Sequence, residues 1–426
     1  MDDIKKTSLP NKPAGPLAGL RVLDLTQFLS GPFGTMILGD LGAEVIKVEP
    51  KTGELSRTIP PHFVGEDSVY YLSVNRNKKN IVVDLKTAEG VQVVRELALA
   101  CDIVVENFRP GVLKRLGISY DEISAAKPGI VWCSISGFGQ DGPWRDWPAY
   151  DMMIQALSGG MSLTGEPAGP SVRAGIPLGD LAAGMFGVIG ILAALQECNR
   201  TGKGRVVDVA MLDCQVAMLS YQAAYYLHSG QVPGRQGSGH DSIPTYGSFD
   251  AGDGRSLVVT ANTEKMWHQM ATILGVPQMI DDPRFLTNRE RLANRQELEP
   301  LLKQAFLARP AQEWMADFLA AGIPAAVVNT LDLALSGPQV EHRGMVLDLD
   351  DHAGKVVRVV GNPIKFDGQE VTPVHYPPGL GQDTDLVLEG VLGFSREKID
   401  ALCASGAVVQ GVRKPGGEAV VAAAAK

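Results

Sequence analysis

Asp180 stands in the run from Gly175 to Gly187 (GIPLGDLAAGMFG), where every other residue is apolar or small. An unpaired carboxylate taken out of water costs several kcal/mol. This acid therefore needs a structural or a chemical reason. Pro177 and Gly179 precede it and a helix-compatible stretch follows, which puts a carboxylate at the mouth of a helix. The structural reason would be a helix N-cap. The chemical one is a nucleophile kept ionised by the helix terminus.

Three further segments hold residue types that suit a phosphate-bearing ligand. Asn107-Phe108-Arg109-Pro110-Gly111 follows a strand pattern directly, with Lys114 and Arg115 one turn on. A ring there can stack on a base and a guanidinium can meet a phosphate. The same pattern also reads as a helix start with proline near its first position. Asn75-Arg76-Asn77-Lys78-Lys79-Asn80, with Lys86 beyond the next strand, is either a local anion site or a solvated turn. In Ser136–Trp144, Gly137, Gly139 and Gly142 allow a close approach of backbone to ligand. None of the seven histidines pairs at metal-ligand spacing, so no metal site is expected. His240 lies in a glycine-rich loop that suits an active-site position. Neither GxSxG nor HExxH occurs.

These residues need a scaffold, and the pattern supplies one. Short β-branched runs at Leu20–Leu25, Val45–Glu49, Ile81–Leu85, Asp102–Glu106, Ile130–Ile135 and Val206–Ala210 alternate with helical patterns. Strands apolar on both faces and separated by helices predict an α/β fold with a covered parallel sheet. Ligands then bind beyond the carboxyl ends of the strands, which singles out Thr26–Gly31, Lys86, Asn107–Gly111 and Ser136–Gly142. Neither GxGxxG nor GxxxxGK[ST] follows any strand, so a nucleotide would not use a standard phosphate loop. Ser229–Gly247 is rich in glycine, proline and serine and marks a boundary loop (229–247) before a second block at 248–330.

Composition bounds the function. At 426 residues the chain has room for two domains. A net charge of −9 argues against a general nucleic-acid surface. Five cysteines without CxxC spacing fit free thiols in a reducing compartment. The start MDDIKK has no apolar leader core, and the run Met185–Leu195 is short for a membrane span. A cytoplasmic protein with no membrane partner is the expectation. Residues 1–16 read as a loose arm and 413–426 as a disordered tail.

Taken together, the segments resemble the class III coenzyme A transferases, the family that includes formyl-CoA transferase. The resemblance runs from about Pro16 to Val408 and rests on elements standing in order. They are Leu17-x-Gly19-x-x-Val22-Leu23-Asp24-Leu25, Gly39–Glu49, Asn77–Asn80, Glu106–Gly111, Gly137-Phe138-Gly139-Gln140-x-Gly142-Pro143, Tyr150-Asp151, Asp180 and Thr201–Gly204. The resemblance implies a Rossmann-like large domain built from 17–228 and a returning segment 331–412, with a smaller inserted α+β domain. It also implies an interlocked homodimer. Asp180 would be the catalytic nucleophile. CoA, a carried substrate and not a tightly bound cofactor, would lie near Phe28, Leu29, Ser30, Val83, Lys86, Asn107, Phe108, Arg109, Arg115, Gly137, Tyr150 and Asp151.

The substrate side draws on Gly139, Gln140, Arg173, Arg235 and His240. The stretch Phe63–Lys79 looks like the succinate-hydroxymethylglutarate branch, which implies a succinyl-CoA donor and a dicarboxylate acceptor. Arg173 or Arg235 could then clamp the distal carboxylate. Two other readings stand beside this one. An α-methylacyl-CoA racemase of the same fold would carry a His where this chain has Tyr150, and a tyrosine of ordinary pKa near 10 is a poor base at neutral pH. A non-catalytic CoA-binding protein would need Asp180 only as a cap.

Overall fold

The structure, a computed structural model, describes residues 15–411 apart from 352 and 369–372. The expected arm, up to residue 14, and the tail 413–426 lie outside the described residues. The chain divides into two compact units. The larger takes residues up to Ser158, Gly175–Ala223 and those from Glu341 on; the smaller takes Gly159–Ala174 and Ala224–Val340.

The larger unit is built on a seven-stranded sheet. Its strands are β1 (Arg21–Leu25), β2 (Glu44–Glu49), β3 (Lys78–Val83), β4 (Ile103–Glu106), β5 (Val131–Ser136), β6 (Val206–Ala210) and β7 (Val408–Val409). The order is β7-β3-β2-β1-β4-β5-β6. The first six strands run parallel, and β7 pairs antiparallel with β3 at one edge. The alternation of side chains along a strand shows in the core. Leu23, Ile46 and Val104 pack in one apolar cluster, while Val22, Val45 and Val105 pack in the other. Both faces are buried, as the double-sided apolar strands require.

Two helices matter most for the site: α1 (Ser30–Asp40) and α2 (Leu178–Thr201). They cross at a point where both helices carry glycine. A Cβ at position 184 would lie 2.6 Å from the Ser30 carbonyl oxygen, and one at position 34 would lie 3.0 Å from the Gly184 carbonyl oxygen. Only hydrogen side chains permit this approach. Helix α2 is long and apolar enough to cross a membrane; here its buried face, including Ala183, Val188 and Ile191, packs in the cluster with Val131 and Ile135 of β5. At its end Gly202 adopts φ 72° as the C-cap, and Gly204 passes so close to Ile130 that a Cβ there would overlap its carbonyl oxygen. That contact, with the Gly204 N–H donating to the Pro128 carbonyl at 2.8 Å, seats β6 beside β5.

The basic cluster at 75–80 forms neither an anion site nor a solvated turn. Arg76 pairs with Asp40, Lys78 with Asp24 and Lys79 with Glu44. Lys78 and Lys79 open the strand Lys78–Val83, and Arg76 is buried in the turn that leads into it, so these cations are structural.

The smaller unit carries a three-stranded antiparallel sheet ordered Ala325–Val327, Ser256–Thr260, Tyr246–Asp250. Helices Glu264–Ile273, Arg295–Phe306 and Ala311–Ala320 cover it around Trp267, Phe285, Phe306, Trp314 and Phe318. This is the α+β insertion expected.

The glycine crossing gives a direct test. Gly184→Ala should cost about 1–3 kcal/mol through overpacking, seen as a lower urea midpoint. An unchanged midpoint would show that the two helices are free to part.

Candidate active site

Strand order reverses at β1, which is flanked by β2 and β4. At such a switch point the connections leave in opposite directions and open a crevice at the carboxyl ends of the strands. A cleft of about 370 Å³ lies there. The segment after β1 contributes Gln27, Phe28 and Ser30; that after β4 contributes Asn107 to Pro110; that after β5 contributes Gly137 and the loop from Arg145 to Tyr150. Asp180, from the first turn of α2, completes the wall. Among the described lining residues it is the only acid, and none is histidine.

Asp180 does not cap its helix. Pro177 holds the N-cap position and makes no side-chain cap, and Asp180 is the third helical residue. The capping group comes from elsewhere. Asp151 Oδ1 accepts the N–H of Gly179 at 2.8 Å and that of Asp180 at 3.4 Å. Asp151 thereby occupies the donors of the α2 terminus and leaves the Asp180 carboxylate to the cleft. Gln155 holds the other Asp151 oxygen at 2.8 Å.

The electrostatics follow from this arrangement. Burial and the neighbouring Asp151 charge raise the Asp180 carboxyl to about 7, with a hydrogen bond from the Ser30 side chain pulling the other way. The helix terminus thus does not keep it fully ionised in the free protein; the carboxylate predominates above neutrality. Burial and the Asp180 charge push the phenol of Tyr70, which also lines the cleft, up to about 12. Tyr70 therefore stays protonated as a hydrogen-bond donor.

Of the residues expected around CoA, Phe28, Ser30, Asn107, Phe108, Arg109, Gly137 and Tyr150 come together in the cleft. Phe28 and Tyr150 meet edge to face at 6.1 Å. Leu29, Val83, Lys86, Arg115 and Asp151 do not line it. Val83 is buried in the sheet core and Lys86 is exposed after β3. Asn107 spends both ends of its amide on the backbone of one residue, accepting from Gln27 N–H and donating to Gln27 C=O, each at 2.8 Å. Gly139 and Gln140 do not line the cleft; the Gly139 N–H donates to the Ser136 hydroxyl and the Gln140 N–H to Asp208. Arg173, Arg235 and His240 belong to the smaller unit. There Arg235 donates to the carbonyls of Glu166 at 3.1 Å and Gly169 at 2.6 Å, and the His240 ring stacks on Tyr246.

Sequence reasoning missed Tyr70, Arg145 and Trp147. Arg145 approaches Arg115 around Gly111: a Cβ on Gly111 would lie 3.3 Å from the Arg145 guanidinium and 3.5 Å from that of Arg115. With Arg109 in the wall, cations gather at the end of β4. Among the described residues no cluster of His, Cys, Asp and Glu is arranged to hold a metal ion.

A family model described as CoA-transferase family III matches residues 17–384. The chain belongs to that family. It is a CoA-transferase, moving CoA between an acyl-CoA and a carboxylate, with CoA as the carried group. It is 41% identical over 396 residues to mouse succinyl-CoA:glutarate CoA-transferase, covering 93% of this chain and 91% of that one. It is 39% identical over 372 residues to acetyl-CoA:oxalate CoA-transferase of Acetobacter aceti, covering 87% and 93%. A solved CAIB/BAIF family protein from Brucella suis superposes with a TM-score of 0.80 at 34% identity, over 89% of this chain and all of that one.

A carboxyl that binds its proton more tightly when folded adds stability only while protonated. The gain is complete below the ordinary carboxylate range and is lost as pH rises through about 7. Asp180→Asn removes that loss. The Asn variant should gain on wild type by about 1–3 kcal/mol between pH 5 and pH 8, after allowance for solvent screening. Urea midpoints at the two pH values that differ by the same amount would contradict the raised carboxyl.

Proposed function

We propose that this CoA-transferase takes CoA from succinyl-CoA and gives it to a dicarboxylic acid, with Asp180 as the covalent carrier. The observation that carries the reading is the lone acid in the cleft wall, presented by a helix whose terminus Asp151 already caps.

The steps balance without a proton shuttle. An oxygen of the Asp180 carboxylate attacks the donor thioester carbonyl, and the C–S bond breaks. A mixed anhydride and CoA thiolate result. The thiolate attacks the aspartyl carbonyl of the anhydride and expels the donor acid as its carboxylate, leaving an aspartyl-CoA thioester. The acceptor carboxylate attacks that carbonyl, giving a second anhydride and thiolate. Attack of the thiolate on the acceptor carbonyl yields the new thioester and restores Asp180. Splitting the exchange in this way replaces one difficult step by easier ones. The absence of histidine among the described lining residues suits a route in which no carbon acid is deprotonated. Arg109, Arg115 and Arg145 supply positive charge for the phosphates of CoA, and Phe108 and Trp147 supply apolar rings beside them.

The donor and acceptor classes are supported by the run Phe63–Lys79 and by the name of the mouse relative. An interlocked homodimer is supported by the apolar side chains Met185, Phe186 and Ile189 that α2 leaves exposed in the single chain.

Asp180→Ala should abolish transfer between succinyl-CoA and a panel of carboxylic acids read by mass spectrometry. Hydroxylamine should convert Asp180 of the wild-type protein to a hydroxamate after incubation with acyl-CoA. Turnover in the Ala variant, or no label on Asp180, would remove the covalent route. A panel in which monocarboxylic acids outrun dicarboxylic ones would remove the acceptor assignment alone.

A further inference from the structure

The turn after β1, Thr26 to Phe28, has five backbone polar groups held by side chains. Asp24 Oδ1 accepts the Thr26 N–H at 2.9 Å. The Lys47 ammonium donates to the Thr26 carbonyl at 2.8 Å. Asn107 takes both polar groups of the Gln27 residue. Glu54 Oε2 accepts the Phe28 N–H at 2.9 Å. Phe28 itself sits at φ 63°, a left-handed conformation that costs a side-chain-bearing residue roughly 1–2 kcal/mol. Such strain persists only where the surroundings over-determine it. Two residues on, Ser30 opens α1 in the cleft wall beside Asp180.

Glu54 is an expensive way to fill its place. It is 2% exposed, and its second oxygen lies 3.3 Å from the buried Lys47 ammonium. Its own N–H is held by Glu49 at 2.9 Å. An apolar side chain would avoid the desolvation of a charge but would leave the Phe28 N–H without an acceptor. The carboxylate makes sense as the group that keeps a strained turn in one conformation.

We propose that Glu54 is a positioning residue for CoA transfer: by holding the Phe28 N–H it fixes the left-handed turn and so the line of Leu29 and Ser30 against Asp180. Glu54 is not in the cleft wall and acts through Phe28. The inference rests on Asp180 as the nucleophile.

Two substitutions separate reach from charge. Glu54→Gln keeps the length and a carbonyl acceptor but loses the charge, and Lys47 retains Asp24 and Glu49 as counter-charges. Glu54→Asp keeps the charge but falls one methylene short of the Phe28 N–H. The readout is the rate at which acyl-CoA labels Asp180, by rapid quench and mass spectrometry, at a temperature where each variant is folded. Glu54→Gln should label within about threefold of wild type. Glu54→Asp should be slower by about 10- to 100-fold, the cost of a small misplacement of reacting groups. The reverse ranking would make the charge pairing decisive and overturn the proposal. So would wild-type rates in both variants, which a merely structural role predicts, or equal slowing in both. If only one variant folds, a slow Gln or a wild-type-like Asp is enough to overturn it. Absence of label in the wild-type protein would instead defeat the nucleophile reading itself.

Discussion

Everything at the site depends on how closely two helices can cross. The N-terminal halves of α1 and α2 meet through Gly34 and Gly184, and that approach decides where both helix mouths lie. One mouth presents Ser30, the other Asp180, side by side in the same crevice, with the Ser30 side chain hydrogen-bonded to the Asp180 carboxyl. The sheet supplies the crevice by reversing its strand order at β1. Without the crossing, the crevice would be a generic nucleotide cleft with no carboxylate in it.

Beneath that crevice lies a floor of buried charge. Asp24, Lys47, Glu49, Glu54, Arg57 and Lys78 are all nearly or wholly withdrawn from water. Burial pulls the Lys78 ammonium down to about 8, while Asp24 is held well below the usual carboxylate range because Lys78, Lys47 and two hydroxyls outweigh its desolvation. Replacing buried pairs of this kind by apolar side chains is often neutral for stability. Their use here is directional. Ionised groups at fixed places can hold backbone atoms that no ladder or helix reaches, and the turn after β1 is made of such atoms.

The sheet was legible because its strands are apolar on both faces, so the pattern survives without knowledge of neighbours. Val22 and Leu23 could be assigned to opposite faces before any contact was known, and they do pack in different clusters. Lys78 and Lys79 were misread because charge next to a strand looks like a turn; their partners Asp24 and Glu44 lie far back in the sequence. The capping of α2 was hidden for the same reason, since its acceptor, Asp151, belongs to a different helix. Arg145 and Tyr70 carry no local signature at all. They reach the cleft only because the topology brings a loop, for Arg145, and the short helix Val69–Val74, for Tyr70, to the ends of particular strands. The two-residue strand Val408–Val409 is too short for any periodic signal.

That short strand has a consequence for how the protein is made. β3 leaves the ribosome well before β7, which closes its outer edge, and before Gly381 and Asp383, which bind its residue Asn80. The rim of the sheet is therefore completed only after the whole smaller unit has emerged. Until then the nascent chain carries an open parallel edge of apolar residues, Ile81 to Val83, of the kind that invites pairing with other chains. Termination after Met211 but upstream of residue 381 would remove the closing strand while sparing every side chain in the cleft wall.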